Sequence, residues 1–133
     1  MLKEITISNY ALIDYLRIDL SKGFTTITGE TGAGKSIILG GLSLALGKRA
    51  EPNLVKDKTK KCFVDLIFSL KNLELKNLFN SLDIDYDTLT TIRREIIPSG
   101  KSRAFVNDTP VNLEILQKLS FELIDIHSQF QNH

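Results

Sequence analysis

Eight consecutive residues, Gly29-Glu30-Thr31-Gly32-Ala33-Gly34-Lys35-Ser36, bring backbone freedom, a cation and a hydroxyl into one loop. Gly29, Gly32 and Gly34 permit positive φ and leave no Cβ in the way, so successive backbone N–H groups can turn inward around a phosphate. Lys35 would add a full positive charge that reaches β- and γ-phosphates, and the Ser36 hydroxyl is placed to ligate Mg²⁺. The spacing is G-x-x-x-x-G-K-[ST], the phosphate-binding P-loop or Walker A motif. With glycine near its average usage of about 7%, a chance match in a chain this short is on the order of one in a few hundred. A dinucleotide fingerprint is excluded by the same residues, because Ile37 stands where a third glycine would be needed.

The loop needs a strand before it and a helix after it. Phe24 to Thr28 is a β-branched run that leads into Gly29, and from about Gly34 to Leu46 the residues Ile37, Ile38, Leu42, Ala45 and Leu46 recur at helical spacing. Gly40 and Gly41 interrupt that helix at about 1 kcal/mol each against alanine, so close backbone packing is the expected reason for them. Upstream, Ile5, Ile7, Leu16, Ile18 and Leu20 alternate with polar residues, as two antiparallel strands joined around Asn9 to Asp14 would.

Downstream, residues 48–61 are polar and basic, contain Pro52, and read as an exposed loop. Residues 62–70 read as a strand, and 72–82 as a helix with Asn72 as its cap. Residues 88–97 and 103–107 form a hairpin around Pro98-Ser99-Gly100; Asn107-Asp108 makes a second tight turn into residues 109–112. Asn112 can cap a helix through Leu119. Residues 121–127 continue that helix or begin a strand, and a strand from about Leu123 is the reading adopted. No internal repeat or low-complexity segment occurs.

Composition bounds the function. The chain has 133 residues, 17 Lys and Arg against 16 Asp and Glu, and a single cysteine, Cys62. That excludes an internal disulfide and any zinc site built from paired cysteines, and it fits a reducing compartment. The basic clusters at Lys56, Lys58, Lys60 and Lys61, at Arg93 and Arg94, and at Lys101 and Arg103 read as solvated faces. His127 and His133 lack carboxylate or cysteine neighbours at ligand spacing, so a zinc site is not expected. No run approaches the roughly 18 apolar residues of a membrane helix, and no secretory signal is present; the expectation is a cytoplasmic protein without a membrane partner. The chain stops at "IDIHSQFQNH" without a turn-rich tail, which suggests a piece of a longer protein.

A phosphate loop alone does not name an activity, since kinases, GTPases, transport ATPases and DNA-handling ATPases share it. The guanine-reading N-K-x-D element is absent, and Arg93, Arg94 and Arg103 fall in a hairpin, not in a lid of the kind a small kinase closes over its phosphates. Four separated blocks then carry a resemblance: "MLKEITISNYALIDYLRIDL", "TTITGETGAGKSIILGGLSLALGKRAE", "RREIIPSGKSRAFVNDTPV" and "LIDIHSQFQNH". Together, in this order and over nearly the whole chain, they resemble the N-terminal ATPase segment of the RecN family of DNA repair proteins. That family belongs with the SMC-like ATPases of the ABC class. The separation of Lys35 and Gln129, 129 − 35 = 94 residues, is similar to the enlarged first lobe of SMC-type heads.

The resemblance implies an α/β fold: residues 1–133 as the N-terminal lobe of an ABC/SMC-type head, a P-loop core joined to an antiparallel β subdomain. It implies that Gly29 to Ser36 hold ATP and Mg²⁺, and that Gln129 matches the Q-loop glutamine, whose amide contacts Mg²⁺ or the attacking water. Lys35 and Gln129 are then the residues with catalytic roles, and Ser36 and Gln129 the metal ligands. His127 would orient the loop that carries Gln129. Asn9, Lys48, Arg49 and Lys56 match regions that flank nucleotide or DNA in related heads. The implied partners are DNA, the C-terminal half of the same protein, and a second head sandwiching ATP, with a nucleoid-associated location. The acidic strand end, the glutamate that positions water and the signature loop are not among these residues, so binding of ATP with negligible hydrolysis is expected. The alternatives are a fragment of a transport ATPase, and a regulatory module that only docks a nucleotide.

Overall fold

In the computed structural model, residues 1–20 and 32–131 are described, with side chains over 1–20 and 34–124. Among the described residues the strands pair into one six-stranded sheet. Strands β1 (Leu2–Tyr10), β2 (Ile13–Asp19), β3 (Cys62–Ser69), β4 (Leu89–Ile96), β5 (Ser102–Val106) and β6 (Thr109–Val111) lie in the order β2-β1-β3-β4-β5-β6. These five pairings are all antiparallel. Period-two patterning sends Ile5, Ile7, Val64, Leu66, Ile92 and Val106 to one face, where all are buried.

Helix α1 (Gly32–Ala45) crosses that face over β1, β3 and β4. The two glycines in its middle are there for close approach: a Cβ on Gly41 would sit 2.9 Å from Ile7 Cδ1, and one on Gly40 would sit 2.9 Å from the Tyr10 hydroxyl. The packing expected of this pair is therefore found. Helix α2 (Lys76–Ser81) is a short lid whose fully buried Phe79 meets Tyr86 edge-to-face at 5.4 Å. Asn72 does not cap it. Asn72 sits at φ 67 in the turn leaving β3, a conformation asparagine tolerates, and the cap position falls at Leu75.

The tight turns fall where glycine, proline and asparagine place them. Asn107 and Asp108 both have positive φ between β5 and β6, and the Ile97 N–H donates to Lys101 O across the β4–β5 turn. Helix α3 (Leu113–Gln131) starts at a side-chain cap, as expected. The cap is Asn112, whose Oδ1 accepts the Ile115 N–H at 2.8 Å. The strand expected from Leu123 is not formed. No glycine or proline interrupts the chain between the Asn112 cap and Gln131, so the helix, once nucleated, propagates through it. Its apolar residues Leu116, Leu119 and Leu123 keep the helical spacing that buries them. The strand expected at Phe24 to Thr28 lies outside the described residues.

Candidate functional site

Gly32, Ala33, Gly34, Lys35 and Ser36 form the opening turn of α1, two residues earlier than the sequence spacing predicts. The first four N–H groups of a helix have no carbonyl partner within it, and the aligned peptide dipoles make this end positive. No acidic side chain stands in the first turn of α1 to neutralise it. The Lys35 and Ser36 side chains are exposed. A cation and a hard hydroxyl oxygen beside the amides of a helix N-terminus form a donor set that fits the phosphates of a nucleotide and Mg²⁺. Gly29, Glu30 and Thr31 lie outside the described residues. Gln129 falls in the backbone of the last turns of α3, not after a strand, and its side chain and that of His127 are outside the described set.

The opposite end of α1 is held from three directions. Gly47, at φ 114, closes a Schellman motif. Its N–H donates to Leu44 O at 3.2 Å, and the Lys48 N–H donates to Ser43 O at 3.0 Å. From β4, Arg94 reaches the same turn, its Nη1 donating to Leu44 O at 2.9 Å and to Lys48 O at 2.8 Å, and its Nη2 to Ser102 Oγ at 3.2 Å. From α3, Gln117 Nε2 donates to Gly47 O at 2.9 Å. Arg94 is 2% exposed, and burial lowers its pKa from the ordinary arginine value. Its compensating negative charge is the carbonyl end of the helix dipole; α1 has no basic residue of its own in its last turn. The role of Arg94 is absent from the sequence reading, although one signal was available. Ile92, Arg94 and Ile96 share strand parity, which puts a guanidinium on the core face.

The opposite face of β3, β4 and β5 carries an ion-pair ladder. Arg93 makes a two-pronged, charge-assisted pair with Asp65. Each prong is 2.7 Å, and the guanidinium stacks 4.2 Å from the Phe63 ring centroid. Glu95, nearly buried, receives Arg103 at 2.7 Å and both Arg93 and Lys61 at 3.3 Å. Burial alone would raise its pKa, but the hydrogen bonds from Arg103, Lys61 and Arg93 outweigh that and hold it below the ordinary carboxylate value. A groove of about 410 Å³ lined by Asp65, Thr91, Arg93, Glu95, Phe105 and Asp108 belongs to this ladder and faces away from α1.

Asn9 is a structural staple. At φ 58 and 7% exposed, it donates through Nδ2 to Asp57 O at 2.8 Å and to Lys60 O at 3.1 Å, and its Oδ1 accepts the Asp57 N–H at 2.7 Å. The basic loop it holds is largely engaged: Lys56 pairs with Asp14, Lys61 with Glu95, and Lys58 lies against the carbonyls of Pro52, Asn53 and Val55. Lys48 and Arg49 are exposed beyond the end of α1. Among the described residues no group of metal-binding side chains occurs, and no helix is long and apolar enough to cross a membrane.

Comparison with known proteins places this geometry. The chain is 42% identical over 134 residues to the DNA repair protein RecN of Vibrio cholerae, across 97% of this chain and 24% of that protein. It spans about a quarter of the length of the curated relatives it matches. Its fold is similar to that of an SMC ATPase solved in a study of ATP-driven dimerization and DNA-stimulated activation, with a TM-score of 0.66 at 21% identity over 88% of this chain and 75% of that one. The recombination mediator RecF is similar at a TM-score of 0.59 and 18% identity, over 86% of this chain and 29% of RecF. The fold is thus that of the first part of an SMC-type head, and the RecN resemblance read from the four sequence blocks holds. A family model described as an AAA domain matches residues 4–132, and the chain belongs to that AAA domain family.

Proposed function

We propose that this chain is the N-terminal lobe of an SMC-like ATPase acting in DNA double-strand break repair and recombination, and that it binds ATP and Mg²⁺ through Gly29 to Ser36. The observation that carries the reading is the coincidence of the last five residues of the G-x-x-x-x-G-K-S motif, Gly32 to Ser36, with a helix N-terminus that has no acidic side chain in its first turn, in a chain similar to a DNA repair protein along nearly all its length. In this reading Lys35 and the N–H groups of the first turn bind the β- and γ-phosphates, and the Ser36 hydroxyl is a ligand to Mg²⁺. The metal ion neutralises charge on the phosphates when bound. Gln129 serves as a further metal or water contact.

Phosphoryl transfer depends on positioning and charge stabilisation. In this proposal the missing part of that apparatus comes from a C-terminal lobe of the same protein and from a second head. ATP binding then promotes engagement of two heads, hydrolysis releases them, and DNA is the substrate of the assembled protein on the nucleoid. The relatives named above are repair and recombination proteins, so the transport ATPase reading draws no support from them.

Titration of the chain with a fluorescent ATP analogue and Mg²⁺ tests the binding step, with Lys35→Ala as the control. Saturable binding that Lys35→Ala abolishes without a change in melting temperature is expected. Equal binding by wild type and Lys35→Ala refutes the assignment, and steady hydrolysis by the isolated chain refutes the need for a second lobe.

A further inference from the structure

We propose that Arg94 is a positioning residue for the phosphate-binding turn, acting through the far end of α1. This rests on the nucleotide reading above. Among the described side chains of α1, Gly34 and Ile37 in the first turn are half-buried, Lys35 and Ser36 are exposed, and Ile38 is the first that is buried. The helix approaches the sheet closely at Gly40 and Gly41, and it is held again at the turn from Leu44 to Lys48, where Arg94 binds two carbonyls.

A stiff helix held this way is a lever. At about 1.5 Å rise per residue, Lys35 lies about 9 Å from Gly41 on one side and Ala45 about 6 Å on the other. A slip of about 1 Å at the Arg94 end therefore moves the phosphate turn by about 1.5 Å, in the ratio of the two arms. Displacements of that size are enough to spoil a site that must hold reacting groups within about 0.5 Å.

The side chain suits the task. A planar guanidinium serves Leu44 O, Lys48 O and Ser102 Oγ at once, which an ammonium on a flexible stem does not do in the same geometry. Through Ser102 the clamp also fixes the start of β5, so that helix and hairpin are registered by one group. Among the described residues Arg94 has no carboxylate partner, and a buried charge held this way is often no more stabilising than an apolar side chain of similar volume. Stability alone therefore does not account for an arginine here, whereas the fixed orientation of α1 does.

The test uses Arg94→Met and Arg94→Lys in this chain, with Glu95→Gln as a control that weakens the same strand from its other face. Residual dipolar couplings of the α1 and β3 amides report the angle between helix and sheet without any nucleotide, and titration with Mg²⁺ and the fluorescent ATP analogue reports the site. Arg94→Met is expected to change or average the α1 couplings relative to β3 and to weaken nucleotide binding at least tenfold under conditions where the chain is fully folded. Glu95→Gln is expected to leave both unchanged. Wild-type couplings and affinity in Arg94→Met overturn the proposal; if that variant does not fold, wild-type values in Arg94→Lys overturn it. Should the wild type bind no nucleotide, the nucleotide reading fails and the couplings alone decide whether Arg94 sets the helix angle.

Discussion

Replacing Glu95 by glutamine probes the ladder on the outer face of the sheet with little change in volume. The carboxylate is 5% exposed, while the side chains of its three partners, Arg93, Lys61 and Arg103, are 33%, 42% and 49% exposed. Solvent therefore screens the cationic side of each pair, and none is worth the several kcal/mol of a fully buried bridge. Arg103 places Nη2 at 2.7 Å and Nε at 3.0 Å on one oxygen. Such a charge-assisted contact is worth about 1.5 kcal/mol. The contacts from Arg93 and Lys61 are longer, each at 3.3 Å. Each of these adds about 0.5 kcal/mol, within the range of surface pairs. Glutamine keeps one acceptor oxygen and recovers part of the sum, so Glu95→Gln is expected to cost about 2 kcal/mol at neutral pH. The sign with pH follows from the folded carboxyl lying below its ordinary 4.5. The stabilisation is fully present above that unfolded value and is lost as pH falls through the lower folded one. Urea unfolding followed by circular dichroism at pH 7, 5 and 3 should show the gap between wild type and variant intact at the first two and closing at the third. A gap of the same size at pH 3, or none at pH 7, refutes the ion-pair account.

Gly41→Ala sets a gain of about 1 kcal/mol in helix propensity against overpacking of its buried neighbours, and a net loss of about 1 kcal/mol is expected. Those neighbours are the fully buried Ile7 and Val64. Gly40→Ala meets only the end of the Tyr10 ring and should be near neutral; thermal unfolding of the pair compares them. Gly47→Ala combines a φ of 114 with a Cβ 2.7 Å from Gln117 Cγ. Backbone strain and the disturbed Gln117 contact together give an expected loss of about 2 kcal/mol by denaturant unfolding. Cys62, fully buried with its thiol pushed up to about 11 by desolvation, should resist iodoacetamide at pH 8 until the chain unfolds. The same thiol should make stability fall as pH rises above about 9, where only the unfolded chain gives up the proton.

The elements that could be read from the sequence are those specified by neighbours along the chain. Strands β1 and β2 follow from period-two patterning, β3 to β5 from strand-like runs bounded by turn residues, and the turns at Ile97–Lys101 and Asn107-Asp108 from the backbone preferences of Gly, Pro and Asn. The G-x-x-x-x-G-K-S motif is local in the same sense, because its eight residues are adjacent, and its last five are found in the first turn of α1. Errors arose where two local rules competed. Asn72 is both a good cap and a good left-handed turn residue, and the turn prevailed because the buried Leu75 and Phe79 set the start of α2 later. At residues 121–127 a strand required a neighbour that no local pattern supplies, whereas the helix needed only to continue.

The Arg94 clamp was illegible for a different reason. Its acceptors lie 50 and 46 positions away on a helix end, and they are backbone carbonyls, which every residue possesses. Side-chain type therefore carries no trace of the pairing. What the sequence does carry is a contradiction, an arginine at a core-facing parity in β4 together with a helix that brings no cation to its own C-terminus. The buried charge lacks a carboxylate, and the last turn of the helix holds no basic residue. Burying the first against the second sets the guanidinium Nη1 on the carbonyl end of the dipole and offsets part of the cost of burial. The same reasoning accounts for the end of α1 at which the clamp sits. Only the carbonyl end of the helix offers a guanidinium the partial negative charge it needs, and β4 passes beneath that end.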